Sequence, residues 1–209
     1  MAKTKPFEKY SNKYEDWFED NKYAYQSEIN AIKDILPVFK SGIEIGVGSG
    51  KFALPFNIKL GIEPSVEMRR LAESRGITVL NGIAENLPLE NEKFDLVLMV
   101  TTLCFLDDVK KAFSEVYRIL KPEGYFINGF VDKNSKIGKI YQKYKDRSIF
   151  YKEAVFFSTK EVVKLIDEAG FRKIEFRQTI FSPLDKINKV NIVKKGYGEG
   201  SFIVIRAHK

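Results

Sequence analysis

Glu44, Gly46, Gly48 and Gly50 stand at alternate positions in the stretch EIGVGSGK, at the end of a short apolar run. Glycines so spaced let the backbone come close to a ligand, and amides facing it at a following helix start favour an anion. The dinucleotide-binding fingerprint spaces its glycines G-x-G-x-x-G; here the third comes one residue early, and Glu44 lies two residues before the first. A carboxylate there is poorly placed beside a pyrophosphate and suits a ligand that bears an ammonium group. Glu63 ends a second apolar run, seventeen residues after Gly46, where a carboxylate can accept hydrogen bonds from both hydroxyls of a ribose. Further on, Ala84, Glu85, Asn86 and Leu87 form a short polar loop before another apolar run. The polar pair followed by Leu87 can hold an adenine by its amino edge and one face.

Other chemistry is thinly supplied. The chain has one cysteine, Cys104, and one histidine, His208. An intramolecular disulfide is impossible, and a Cys/His metal site needs three or four such ligands, so no metal is expected. A Ser-His-Asp or Cys-His mechanism would have to use the next-to-last residue. Cys104, between Leu103 and Phe105, reads as a small buried apolar residue.

The elements that must position the acids and glycines follow from periodicity. Residues 43–47, 58–62, 77–80, 94–100 and 125–131 read as strands; the fourth is almost wholly apolar, as a central parallel strand should be. Pro55 limits any helix after Gly50 to a short one. Ser65 is an N-cap for a helix over 65–75, with Gly76 just past its end. Residues 107–120 give the clearest amphipathic helix, stopped by the turn at 121–124. A capping box at 158–161 opens a helix through 169. Residues 174–181 and 201–207 read as a terminal antiparallel pair joined by a long, basic, non-helical loop. Tyr10, Tyr14, Trp17 and Phe18 share one face of an N-terminal helix, and a second helix spans about 25–36. The expected architecture is α/β: a Rossmann-like, doubly wound, seven-stranded sheet, mostly parallel with an antiparallel C-terminal strand and helices on both faces. We expect a single domain over 1–209: a helical cap at 1–40, a ligand-binding half at 41–132, a basic insertion at 133–157, and a helix with a β-hairpin at 158–209.

The net charge is +7, concentrated at 133–152 and in Lys186, Lys189, Lys194 and Lys195. Such clusters attract anions or stand as solvated faces. No run approaches the ~20 apolar residues of a membrane span, and the first twenty residues lack the apolar core of a secretory signal, so a cytoplasmic location is the expectation.

Four stretches in order, IEIGVGSGKF, LGIEPSVEM, NGIAENLPLENEKFDLVLMVTTLCFLDD and AFSEVYRILKPEGYFI, make the region from Glu44 to about Asp132 resemble the class I S-adenosylmethionine-dependent methyltransferases, in particular the ubiquinone/menaquinone-biosynthesis type. The resemblance implies S-adenosylmethionine as cofactor. By it, Gly46, Gly48 and Gly50 wrap the methionine part with Glu44 near the amino group, and Glu63 takes the ribose diol. Pro64, Ser65 and Met68 flank the adenosine; Ala84, Glu85 and Leu87 contact adenine; Val100 and Thr101 lie beside the cofactor. The N-terminal aromatic helix resembles a segment that caps the site in related enzymes, placing Tyr10, Tyr14 and Trp17 near the methyl group. The chain departs from the pattern in having no histidine near Cys104 and in Pro55. The implied reaction is in-line displacement at the methyl carbon, in which positioning does the work and no protein base is required. The expected acceptor is a small molecule, with an anionic one fitting the basic segments. RNA would also fit but no RNA-binding module is present. An NAD-dependent oxidoreductase and a non-catalytic cofactor-binding module are the alternatives from other classes.

Overall fold

The structure, a computed structural model, describes residues 3–209. Three helices lead: α1 (Lys5–Lys9), α2 (Ser11–Asp20) and α3 (Lys22–Lys33). There follow β1 (Gly42–Ile45), β2 (Leu60–Ile62), α4 (Val66–Ser74), β3 (Thr78–Leu80), β4 (Phe94–Val100), α5 (Val109–Ile119) and β5 (Leu120–Val131). The chain closes with α6 (Lys136–Lys143), α7 (Thr159–Glu168), β6 (Arg172–Thr179), β7 (Lys194–Lys195) and β8 (Phe202–His208). All the strands join one sheet in the order β3-β2-β1-β4-β5-β8-β6-β7. The first five run parallel, β8 is antiparallel to β5 and β6, and β7 is antiparallel to β6.

β4 shows why this sheet reads as an apolar run. Val97 and Met99 enter the core beneath α5 and α7, whereas Leu96, Leu98 and Val100 enter the core that α2, α3, α4 and α6 cover. A strand covered on both faces has no side left for alternation. The helices supply matching stripes: Val109, Ala112, Phe113, Val116 and Ile119 of α5 are all buried.

The expected architecture stands, with local differences. The sheet has eight strands, not seven. The extra one, β7, is two lysines whose pairing with Arg177 and Gln178 leaves no periodic trace; the Gln178 amide steadies this edge by donating to the Lys195 carbonyl and accepting from the amides of Glu199 and Gly200. A 3-10 turn, Leu184–Lys186, also interrupts the loop read as non-helical. The connection from β1 to β2 has no α-helix, only a 3-10 turn over Leu54–Phe56, as Pro55 requires. Residues 121–124 form a bulge inside β5, with Glu123 in the left-handed region, because Leu120 already pairs with Phe94 before the register shifts. The basic segment contains α6, capped by the Ser135 hydroxyl, which accepts from the Gly138 amide. Ser65, Asp108 and Ser158 cap α4, α5 and α7, the last with the full capping box.

Candidate active site

The strand order reverses between β1 and β4, and in open α/β sheets ligands bind at the carboxyl ends of the strands beside such a switch. Three chain segments leave the sheet there. Beyond β1, the amides of Gly46 and Val47 donate to the Ile62 carbonyl at 2.8 and 3.0 Å. Gly46 has φ +70, and a Cβ built on it falls 2.4 Å from the Thr102 side chain. Gly48 has φ +54, and a Cβ there would approach the Tyr14 hydroxyl at 3.2 Å. These two positions need glycine because the turn is left-handed and a neighbouring side chain already fills the space.

Beyond β2, the buried Glu63 carboxylate accepts from the Gly48 amide at 3.0 Å and the Ser65 amide at 2.9 Å. Burial pushes its pKa up to about 7, while those two bonds and Arg69 pull the other way. Beyond β4, Val100 leads into Thr101, a non-glycine residue at φ +53 whose amide donates to the Gly129 carbonyl. The Thr102 hydroxyl turns back to the carbonyls of Gly46 and Val100 at 3.2 and 3.1 Å, tying the ends of β1 and β4 together.

Side chains from outside the sheet brace this glycine turn. Arg75, just past α4, donates to the Ser49 carbonyl at 2.6 Å and pairs with Glu15 of α2. Lys51 lies 3.5 Å from the same Glu15, and the Tyr25 hydroxyl donates to the Lys51 carbonyl at 2.6 Å. At the adenine end of the expected site, Glu85 accepts from the amides of Asp107 and Asp108 at the start of α5. The N-terminal segment closes the top. Glu8 of α1 accepts from the first amides of α4, Val66 and Glu67, at 2.8 and 3.2 Å, and Lys3 reaches Asp107 at 3.3 Å.

The cleft measures about 350 Å³. Gly46, Gly48, Glu63, Pro64, Met68, Ala84, Glu85, Val100, Thr101 and Tyr14 all line it. Six of the expected residues stand back from it. Glu44 is buried behind the turn with one carboxylate oxygen lacking any partner, and burial and the nearby Glu63 both raise its pKa well above the ordinary range. Gly50 packs on Ile77, and Ser65 spends its hydroxyl capping α4. Leu87 is core, its amide given to Glu115. Trp17 packs edge-on against Phe18, and Tyr10 sits at the α1–α2 junction between Lys9 and Lys13. Sequence reasoning missed Lys3, Thr4, Phe7, Thr102 and Phe105, all of which line the cavity. Thr102 was within reach, being next to Thr101 at the strand end; Phe7 and Lys3 arrive only through tertiary folding of α1.

The donor set suits S-adenosylmethionine: a turn without side chains, a carboxylate presented beside it, and a buried acid lacking a counter-charge. His208 is at the other end of the sheet, paired in register with Tyr125 at the entry of β5. Among the described residues there is no cluster of three metal-ligating side chains.

Comparison with known proteins agrees. Residues 43–128 match the family model described as a methyltransferase domain. A crystal structure from Thermotoga maritima, described as an S-adenosylmethionine-dependent methyltransferase and "possible histamine N-methyltransferase", is 50% identical, covers 99% of both chains and superposes with a TM-score of 0.96. The uncharacterized protein MJ1123 of Methanocaldococcus jannaschii is 47% identical over 97% of this chain and 98% of its own. The demethylmenaquinone methyltransferase of Chlorobaculum tepidum is 25% identical over 64% of this chain and 66% of its own. With the turn, the acid and the cavity at the switch point, these similarities show that the chain belongs to the class I S-adenosylmethionine-dependent methyltransferases.

Proposed function

We propose that residues 1–209 act as one methyltransferase domain that transfers a methyl group from S-adenosylmethionine to a small molecule in the cytoplasm. Gly46 and Gly48 would hold the methionine part, with Glu44 behind them supplying negative charge toward the amino group, and Glu63 would take the ribose hydroxyls. Pro64 and Met68 would flank the adenosine, with Ala84 and Glu85 at the adenine. Gly50, Ser65 and Leu87 act from behind, holding the turn, α4 and the adenine loop in place. Of the aromatic residues expected near the methyl group, Tyr14 fills that role, with Phe7 beside it. The observation that carries this reading is that three of the four motif stretches, those ending β1, β2 and β4, deliver residues to one cavity, while the fourth builds α5 and β5 behind it.

When bound, the cofactor supplies a methyl group already activated by its sulfonium. The protein's part is to position and to exclude water. Phe7, Tyr14 and Phe105 wall the cavity, Phe7 lying edge-on to both other rings at 5.8 and 5.1 Å. Tyr14, at the wall, is held in its protonated form: burial raises its hydroxyl far up.

The lining does not favour an anionic acceptor. Lys133 pairs with Glu161 and Lys194 with Glu199, away from the cavity, while Lys3 and Lys111 at its wall face four acids, Glu63, Glu85, Asp107 and Asp108. An amine acceptor accords with that balance and with the description of the Thermotoga relative. RNA and NAD(H) are not favoured. No described helix is long and apolar enough to cross a membrane. Isothermal titration with S-adenosylhomocysteine tests the site, with NADH as control: saturable binding that Glu63→Ala weakens at least a hundredfold is expected. Equal binding by the variant would remove Glu63 from the proposal.

A further inference from the structure

Tyr14 and Glu15 are neighbours on α2 and meet the glycine turn from two sides. Tyr14 lines the cavity and lies over Gly48. Glu15 does not line it; its carboxylate accepts from both terminal nitrogens of the Arg75 guanidinium, just past the end of α4. One of those nitrogens also donates to the Ser49 carbonyl at 2.6 Å. A single planar group therefore bonds the turn and α2 at once, and both charged side chains are largely withdrawn from solvent. A charge-assisted, bidentate pair of this kind is geometrically exacting.

Apolar burial holds the first two helices only lightly: α1 has no buried residue and α2 has Phe18 alone. Polar grips do more. Glu8 of α1 takes the first amides of α4, and Glu15 of α2 takes Arg75 at the other end of the same helix. In the chain, Tyr14 falls between the two grips. Lys51 lies 3.5 Å from Glu15, so the carboxylate keeps a cation when Arg75 is removed, and a substitution at 75 does not strand a buried charge. Two sites joined through one rigid unit influence each other reciprocally. What fixes the turn fixes α2, and what loosens α2 is felt on the turn.

Resting on the methyltransferase reading, we propose that Arg75 is a positioning residue for methyl transfer, joining the turn that would hold the methionine part of the cofactor to the helix that carries Tyr14. Its guanidinium sets the spacing between the turn and the aromatic wall, and cofactor on the turn steadies that wall for the acceptor. Glu15, which stands outside the cavity, thereby contributes to cofactor affinity.

The test is isothermal titration of the full chain with S-adenosylhomocysteine, with urea unfolding to establish that each variant is folded at the temperature used. Arg75→Met should weaken binding about tenfold and Glu15→Gln about fivefold. The double variant should bind about as weakly as Arg75→Met alone, not the roughly fiftyfold weaker that independent losses would multiply to. Arg75→Lys keeps the charge but not the fork, and should stay about fivefold weak. Hydrogen exchange supplies a readout that a mere brace would not move. Saturating S-adenosylhomocysteine should slow exchange across residues 11–20 in the wild type, and the slowing should shrink about threefold or more in Arg75→Met at equal saturation. Wild-type affinity in Glu15→Gln, multiplied losses in the double variant, full rescue by lysine, or equal slowing of α2 in Arg75→Met overturns the proposal. Failure of the folded wild type to bind S-adenosylhomocysteine at all is a different result and overturns the underlying methyltransferase reading instead.

Discussion

Glu63→Gln turns the electrostatics of the site into a stability measurement. The carboxyl is almost fully buried, and its pKa rises from the ordinary 4.5 to about 7. Such a group is stabilising in its neutral form: the contribution is fully present below pH 4.5, falls as pH rises through 7, and is gone above about pH 8. A shift of that size corresponds to about 3 kcal/mol across the window. Glutamine keeps the shape and cannot ionise, but its NH2 cannot accept, so only one of the bonds from Gly48 and Ser65 survives, at a pH-independent cost of about 1–3 kcal/mol. The stability of the variant relative to the wild type should therefore rise by about 2–3 kcal/mol between pH 5 and pH 8.5 in the absence of ligand. Urea unfolding at half-unit pH steps, followed by the fluorescence of the single tryptophan, Trp17, reads this directly. Stability curves for the two proteins that run parallel from pH 5 to 8.5 would refute the assignment of a neutral Glu63 to the unliganded site.

Gly46→Ala should cost about 2–5 kcal/mol in urea unfolding, from the left-handed backbone and the collision with Thr102; Thr102→Ala in the same chain should recover part of it, and additive losses would show the clash is not felt. Asp132→Ala removes the acceptor for the Thr159 amide and hydroxyl and the Asn134 amide. It should destabilise by about 2–4 kcal/mol with S-adenosylhomocysteine affinity unchanged, as calorimetry and titration together would show. Cys104, held up to about 12 by burial, should react with an aromatic disulfide at pH 8 at least a hundredfold slower than in urea; equal rates would mean the thiol is open to solvent.

The legible parts of this chain are those where one local rule suffices. The turn at Gly46 and Gly48 announces itself because left-handed backbone with no room for a side chain admits little besides glycine. Glu63 is legible because a strand end fixes where its carboxylate emerges. β4 and α5 were readable from burial alone. The opaque parts depend on partners distant in sequence. α1 has no buried residue of its own and is held by Glu8 on the amides of α4. β7 has no pattern because its pairing is set by Gln178 across the edge. Leu87 shows the opposite error: an apolar residue in the right motif, claimed by the core through Glu115 and Arg118. α6 was within reach, since Ser135 followed by Ile137, Ile140, Tyr141 and Tyr144 is a capped helical stripe, obscured by the lysines between them.

The two ends of the sheet are unequal places to attach anything. Lys3 and Thr4 are wall residues of the catalytic cavity. At the other end, the Lys209 amide bonds the Gly124 carbonyl and its side chain the Leu120 carbonyl, where β5 begins. An affinity tag, fluorophore or surface tether joined ahead of Lys3 therefore hangs over the mouth of the site and competes with whatever enters it. One joined after Lys209 emerges a full strand's length away. Kinetics from fusions of the two designs should differ even when their folds do not, and the C-terminal design is the one to immobilise for binding work.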